Sequence, residues 1–355
     1  MNKKLLAVAI AGTFAGASPA VMAEMDGSVA TQGFVDSIFT LDSSGCDNSA
    51  NALGGSLNQG LFGGCSTSAV DVDGNTANSV NQTFGTNGEI DVMGTQNDVT
   101  ARIDLDIGGG SSGGATTEQA FIGWMVSDAV TVDIGRMNSP VGFEKEDATD
   151  LYQTTHGAIW QLLDLQTSLP GNNVEGVMGS FGAGPATINV GLLNEIGGND
   201  KETNSYLVQA AGSLMNDNLK LNLAWLSQSD NTALNPQSIG DVVDFYATYG
   251  MDTWFVNFEL LDGSTSVDGL PDMAYGLTGH MDFGSGMGAT LRYENVSYND
   301  VGSTSVDDSS TITLAFLYAV TDNLSLNAEY NSVDVGGTTD KADEFLLEAL
   351  ATFGH

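Results

Sequence analysis

Hydrophobic and polar residues alternate with a period of two along most of the chain. Over 99–107, Val99, Ala101, Ile103, Leu105 and Ile107 share one parity, while Thr100, Arg102, Asp104 and Asp106 share the other. Successive side chains leave opposite faces of a pleated strand, so this segment is extended, with one apolar and one polar face. The pattern recurs almost to the end. Leu219, Leu221, Leu223 and Trp225 oppose Lys220 and Asn222; Trp254, Val256, Phe258 and Leu260 oppose Asn257 and Glu259. Segments 289–294, 312–320, 324–331 and 345–353 alternate in the same way. Only 148–165 reads otherwise, as a short helix inside a loop.

The connections narrow the architecture. Short turns at 95–97, 127–129, 182–185, 215–218, 250–252, 284–286 and 321–323 alternate with longer linkers. Those linkers fall at about 42–85, 109–115, 139–172, 196–202, 228–240, 263–271, 299–309 and 334–342. This predicts an all-β fold, a transmembrane antiparallel up-and-down β-barrel of about 16 strands, with 14 or 18 as alternatives. Short periplasmic turns and long extracellular loops go with it. A soluble sandwich would turn its apolar faces to a shared core and has no reason for this alternation of loop length. A propeller would show a blade repeat, and none is present. The apolar parity then meets lipid, the polar parity meets water, and closure pairs every backbone group.

Residues 1–23 read as a secretory signal peptide: Lys3 and Lys4, an apolar run over 5–14, then small residues before Glu24. The barrel occupies 24–355, where no apolar run reaches the roughly 18 residues of a spanning helix. The 45 acidic residues against 9 basic ones argue against nucleic acid as a partner. In an exported chain, Cys46 and Cys65 suggest a disulfide that staples one loop, in preference to a metal pair with no histidine nearby.

Two stretches, "GFVDSIFT" (33–40) and "QAFIGWMVSDAVTVDIGRMNSPVGFE" (119–144), resemble the putative β-barrel porin-2, OmpL-like family. The shared features are a Gly-aromatic-Val-Asp first strand, a Gln-Ala-aromatic strand with its hairpin, and a Gly-(Lys/Arg)-x-x-(Ser/Thr)-Pro-x-Gly-x-Glu stretch. Gly135, Arg136, Ser139, Pro140, Gly142 and Glu144 supply the last of these. The resemblance implies a porin-like barrel of the cell outer membrane. Analogy with general porins implies that loop 139–172 enters and narrows the lumen, and that the barrel forms a homotrimer.

Candidate pore-lining residues follow from parity and from that loop. The loop contributes Glu144, Lys145, Glu146, Asp147 and Asp150. The wall contributes Asp104, Asp106, Asp133, Glu175, Asp244, Glu259, Glu294, Glu329 and Glu348, with Arg102, Lys220 and Arg292 as its bases. Carboxylates lining a lumen attract cations and repel anions; the plainer alternative is that they only solvate a wet interior. Arg102 and Arg292 facing acids across the constriction would set up a transverse field. Arg136 shares its parity with Val130, Val132 and Ile134, so either it sits at the upper membrane interface or a bulge at Gly135 turns it inward. The bulge is the favoured reading. Trp124, Trp225, Trp254, Tyr293, Tyr318 and Phe353 suit interfacial girdles.

Enzyme signatures are weak. The Gly-x-Ser-x-Gly at 109–113 lies in a Gly/Ser loop rather than a strand-to-helix elbow. His156, His280 and His355 are scattered, and "DVDGN" (71–75) lacks the further acids of an EF-hand loop. No catalytic residue, cofactor or metal is expected. The reading is a passive diffusion channel for small hydrophilic solutes, preferring cations and embedded in outer-membrane lipid and lipopolysaccharide. The alternative is a structural or surface-interaction barrel whose long loops bind a partner while the lumen stays blocked.

Overall fold

The computed structural model describes residues 29–44, 80–108, 115–167, 169, 171–196, 203–228, 240–265, 268–303, 305–334 and 341–354. The signal peptide, Cys46 with Cys65, the 71–75 turn, the 109–113 stretch and His355 lie outside them. Sixteen strands follow one another in chain order. They are β1 (Val29–Ser44), β2 (Val80–Gln96), β3 (Val99–Gly108), β4 (Ala115–Ser127), β5 (Val130–Asn138), β6 (Asn173–Ala183), β7 (Ala186–Asn194) and β8 (Asn204–Leu214). The second half contains β9 (Leu219–Leu226), β10 (Val242–Met251), β11 (Trp254–Gly263), β12 (Pro271–Gly284), β13 (Met287–Tyr298), β14 (Ser309–Thr321), β15 (Leu324–Asp334) and β16 (Lys341–Phe353).

Each strand pairs antiparallel with its neighbours in sequence, and β1 closes on β16, from Gly33 opposite Phe353 to Ser44 opposite Ala342. The sheet is a closed up-and-down barrel without an edge, the arrangement in which no backbone donor is left to face hydrocarbon. Parity holds as the alternation implies: Ile103 is 47% exposed on the outside, whereas Asp104 is fully buried inside. Trp124, Trp225, Tyr318 and Phe353 stand on the outer face with the aliphatic residues.

One rim gathers the tight turns, such as the β2–β3 turn, where Asn97 takes φ +53°. The strand ends that the long connections join lie at the other rim. The β5–β6 connection, 139–172, is the one that positions the site. It enters the barrel, makes a single 3₁₀ turn at Ala148–Asp150, and then forms helix α1 (Ala158–Gln166) against β12 and β13. A nine-residue helix is too short to be stable alone in water. Ile159, Leu162 and Leu163 of α1 are buried against Val174, Met178, Leu207, Leu226, Val242, Leu261 and Val296 of the barrel wall. The inward face of the β6–β13 arc is therefore apolar where the helix sits, and polar elsewhere.

Candidate functional site

The loop is held against one side of the lumen by wall carboxylates that accept its backbone N–H groups. Gly142 N donates to Asp244 Oδ1 at 3.3 Å and Phe143 N to Glu259 Oε1 at 2.8 Å. Thr154 N and Thr155 N both donate to Glu329 Oε2, at 2.6 and 3.2 Å. Helix α1 opens on Gly157, which has no side chain to cap it. Glu294 of β13 takes that role, accepting from Ala158 N at 2.9 Å and Ile159 N at 3.2 Å. A carboxylate there also complements the positive end of the helix dipole. Glu294 comes so close that a Cβ at residue 157 would collide with its carboxyl group.

Arg292 clasps the loop to the wall. Its Nη1 donates to Glu144 Oε1 at 2.6 Å and to the Thr155 carbonyl at 3.0 Å, and its Nε lies 3.2 Å from Glu294 Oε2. Nη2 reaches the His156 carbonyl and Thr313 Oγ1. Gly157 N donates to the other Glu144 oxygen at 2.6 Å. Burial alone would raise the Glu144 carboxyl, but Arg292, His156 and that N–H outweigh it and hold it at about 2. His156 in turn stacks on Trp160, with ring centroids 3.6 Å apart.

The opposite side of the lumen is acidic, and among the described residues its carboxylates accept no loop backbone N–H. Glu89 and Asp106 face each other across β2 and β3, as do Asp91 and Asp104. Arg102 sits among them, with Nε 2.7 Å from Asp104 Oδ2 and Nη2 3.7 Å from Asp91 Oδ2. Where β3 pairs with β4 the register shifts, so that Glu118 and Gln119 together span the place opposite Asp104. This β-bulge turns two consecutive side chains inward. Gln119 Nε2 donates to Asp104 Oδ2 at 2.6 Å. From the loop, Glu146 and Asp147 face this cluster. Burial, then the nearby Glu118, pushes Glu146 up to about 9; burial and Asp150 push Asp147 up to about 7. Burial likewise lowers the Lys145 ammonium and raises Asp150.

The other candidates are distributed as follows. Lys220 lines a cavity of about 250 Å³ towards the short-turn rim, together with Phe143, Tyr152, Thr248, Phe255 and His280. Asp133 and Glu348 point inward and are buried. Arg136 does not line the lumen. The pairing of β5 with β4 and β6 runs through Gly135 without a shift, so no bulge turns the next residue inward. Gly135 takes φ +133° instead, and Arg136 keeps the outward parity of Ile134, donating from Nη1 to the Thr117 carbonyl. Glu175, its direct cross-strand partner, is exposed on the same outer face.

Inward acids that escaped the sequence reading include Asp36, Glu89, Asp91 and Glu118. Glu89 and Asp91 belong to a strand partly hidden by the long Gly/Ser/Asn-rich linker before it. Glu118 is displaced by the bulge; the adjacent polar pair Glu118–Gln119 in an otherwise alternating strand is the signal that could have shown it.

No curated protein matches the chain. Among solved structures, the outer membrane channel DcaP of Acinetobacter baumannii superposes with a TM-score of 0.61 at 14% identity, covering 92% of this chain and 98% of that one. A loop-deletion mutant of OmpT, an outer membrane protein of Vibrio cholerae, gives 0.56 at 14% identity, covering 92% and 99%. A mutant of Rh. blastica porin gives 0.55 at 13% identity, covering 92% and 100%. These likenesses concern the fold. The family model described as "Putative beta-barrel porin-2, OmpL-like" matches residues 28–353, and the chain belongs to that family.

Proposed function

We propose that this barrel is a passive diffusion channel of the outer membrane that prefers cations. The short-turn rim faces the periplasm and the long-loop rim the outside, with small hydrophilic solutes passing between loop 139–172 and the β2–β4 wall. One observation carries the reading: the lumen is electrostatically lopsided. On the β10–β15 side, Asp244, Glu259, Glu294 and Glu329 are engaged by loop backbone N–H groups. On the β2–β4 side, Glu89, Asp91, Asp104, Asp106 and Glu118 face the loop acids with Arg102 among them. Arg102 retains 22% side-chain exposure, and Asp106 and Asp150 are also only partly buried. A field focused by low-dielectric walls raises the local concentration of cations.

The test is conductance of the purified chain in a planar bilayer under a potassium chloride gradient. Stepwise current with a reversal potential on the cation side supports the reading; an anion-side potential sinks it. The buried packing of α1 favours a second reading, a barrel occluded by its own loop and acting through its external surface. Folded protein that inserts and gives no steps would select that alternative.

A further inference from the structure

We propose that Glu89, Glu118 and Asp147 form a site for a hard divalent cation that ties the lumen loop to the β2–β4 wall. One oxygen from each of these carboxylates lies within 4.8 Å of the others. Calcium holds oxygens at about 2.3–2.6 Å, so ligands on opposite sides of one ion stand roughly 5 Å apart. The spacing fits a shared ion. All the donors are carboxylate oxygens, the chemistry of calcium, magnesium or manganese rather than of zinc or copper.

An acidic cluster alone would not be a site, but here the oxygens are buried and poorly satisfied. Glu89 is 2% and Glu118 3% exposed. Glu89 Oε1, both oxygens of Glu118 and Asp147 Oδ1 lack a well-formed hydrogen bond, and the donor that approaches Glu118 is the side-chain amide of Asn173, which brings no charge. Unsatisfied buried carboxylates are costly, and a cation that coordinates them removes the cost. The adjoining trio Glu89, Asp91 and Asp104 meets the same spacing. It already holds a base and amide donors: Arg102 pairs with Asp91 and Asp104, Gln32 Nε2 donates to Asp91 at 2.9 Å, and Gln119 donates to Asp104. In the trio that reaches the loop no carboxylate makes a direct ion pair with a described residue; Arg102 acts on Asp147 only at longer range. The trio's geometry also explains why the bulge in β4 matters, since a regular strand would not place Glu118 beside Gln119 on the lumen face.

The site concerns how the loop is held, and it stands independently of whether the barrel conducts. The test is calorimetric titration of calcium chloride into the full chain in detergent micelles, stripped beforehand with a chelator. We expect one saturable site per chain in wild type. Glu118→Gln and Asp147→Asn should each weaken it at least tenfold, while Asp98→Asn in an exposed turn leaves it unchanged. The heat-modifiable gel shift of folded barrels verifies that each variant is folded, and the charge-neutralising, near-isosteric substitutions spare the packing. A rise in the thermal unfolding midpoint with calcium, present in wild type and lost in Glu118→Gln, is the second readout. Absence of saturable binding, or binding undiminished in both variants, overturns the proposal. Calcium binding without current would leave the site standing and sink only the channel reading; current without binding would do the reverse.

Discussion

Arg292 concentrates several physical effects in one side chain. It is 3% exposed, ion-paired to Glu144 and Glu294, and hydrogen-bonded to two loop carbonyls. Taking charges out of water is expensive, and the pairing here offsets that cost only while every partner remains. We therefore expect Arg292→Met to destabilise the fold by about 3–5 kcal/mol, the usual loss when one member of a buried pair is removed. Thermal unfolding would register it, and the double variant with Glu144→Gln should recover part of the loss; an unshifted midpoint for Arg292→Met would show that the clasp is incidental. The same pair sets an acid limit. Glu144 is held down at about 2 against an ordinary 4.5, so its contribution is complete above about 4.5 and disappears as the pH falls through 2.

At the scale of elements, α1 exists because the barrel builds a place for it. Its first N–H groups are satisfied by β13 rather than by its own cap, and its apolar face is matched by an apolar arc of the wall. Glu294→Ala should release the helix N-terminus without opening the barrel. Limited proteolysis should then cut within 151–166 several-fold faster than in wild type, with the heat-modifiable shift retained; equal cutting rates would mean that packing alone holds the loop. This dependence explains what the sequence conveys and what it does not. Parity over 99–107 reveals β3 because a strand's two faces meet two different solvents. The loop bounds 139–172 and the short helix within them are equally legible, because both rest on local composition. The partners of that helix are not, because Leu226, Val242 and Leu261 face inward near the ends of strands whose inward parity is otherwise largely polar. Glu118 and Arg136 show the remaining limit. A single bulge in β4 moved one residue inward, and the absence of a bulge in β5 kept the other out.

The whole molecule joins a strongly acidic chain to a lumen whose two walls are used differently, and this has a consequence for pH. Fixed acids of ordinary strength are fully ionised by about pH 6, so a lumen lined by them would have constant selectivity above that. The loop acids behave otherwise. Asp147, raised to about 7, faces Asp91, Asp104, Arg102 and Asp150; Glu146, raised to about 9, faces Glu118, Asp106, Asp164 and Asp147. Lys145, in the same loop, lies near Asp150, Glu259, Asp147 and Asp244, and its ammonium is itself lowered by burial. A raised carboxyl is neutral below its folded value and gains charge as the pH rises through it, so the loop grows more negative between about pH 6 and 9. Reversal potentials measured in calcium-free salt should therefore move further to the cation side from pH 6 to pH 9, and the shift should shrink in the Glu146→Gln, Asp147→Asn double variant. High salt should flatten it as well, because the Debye length falls to about 3 Å at 1 M. A selectivity that is flat across this range would mean that the loop acids do not face the ions that pass.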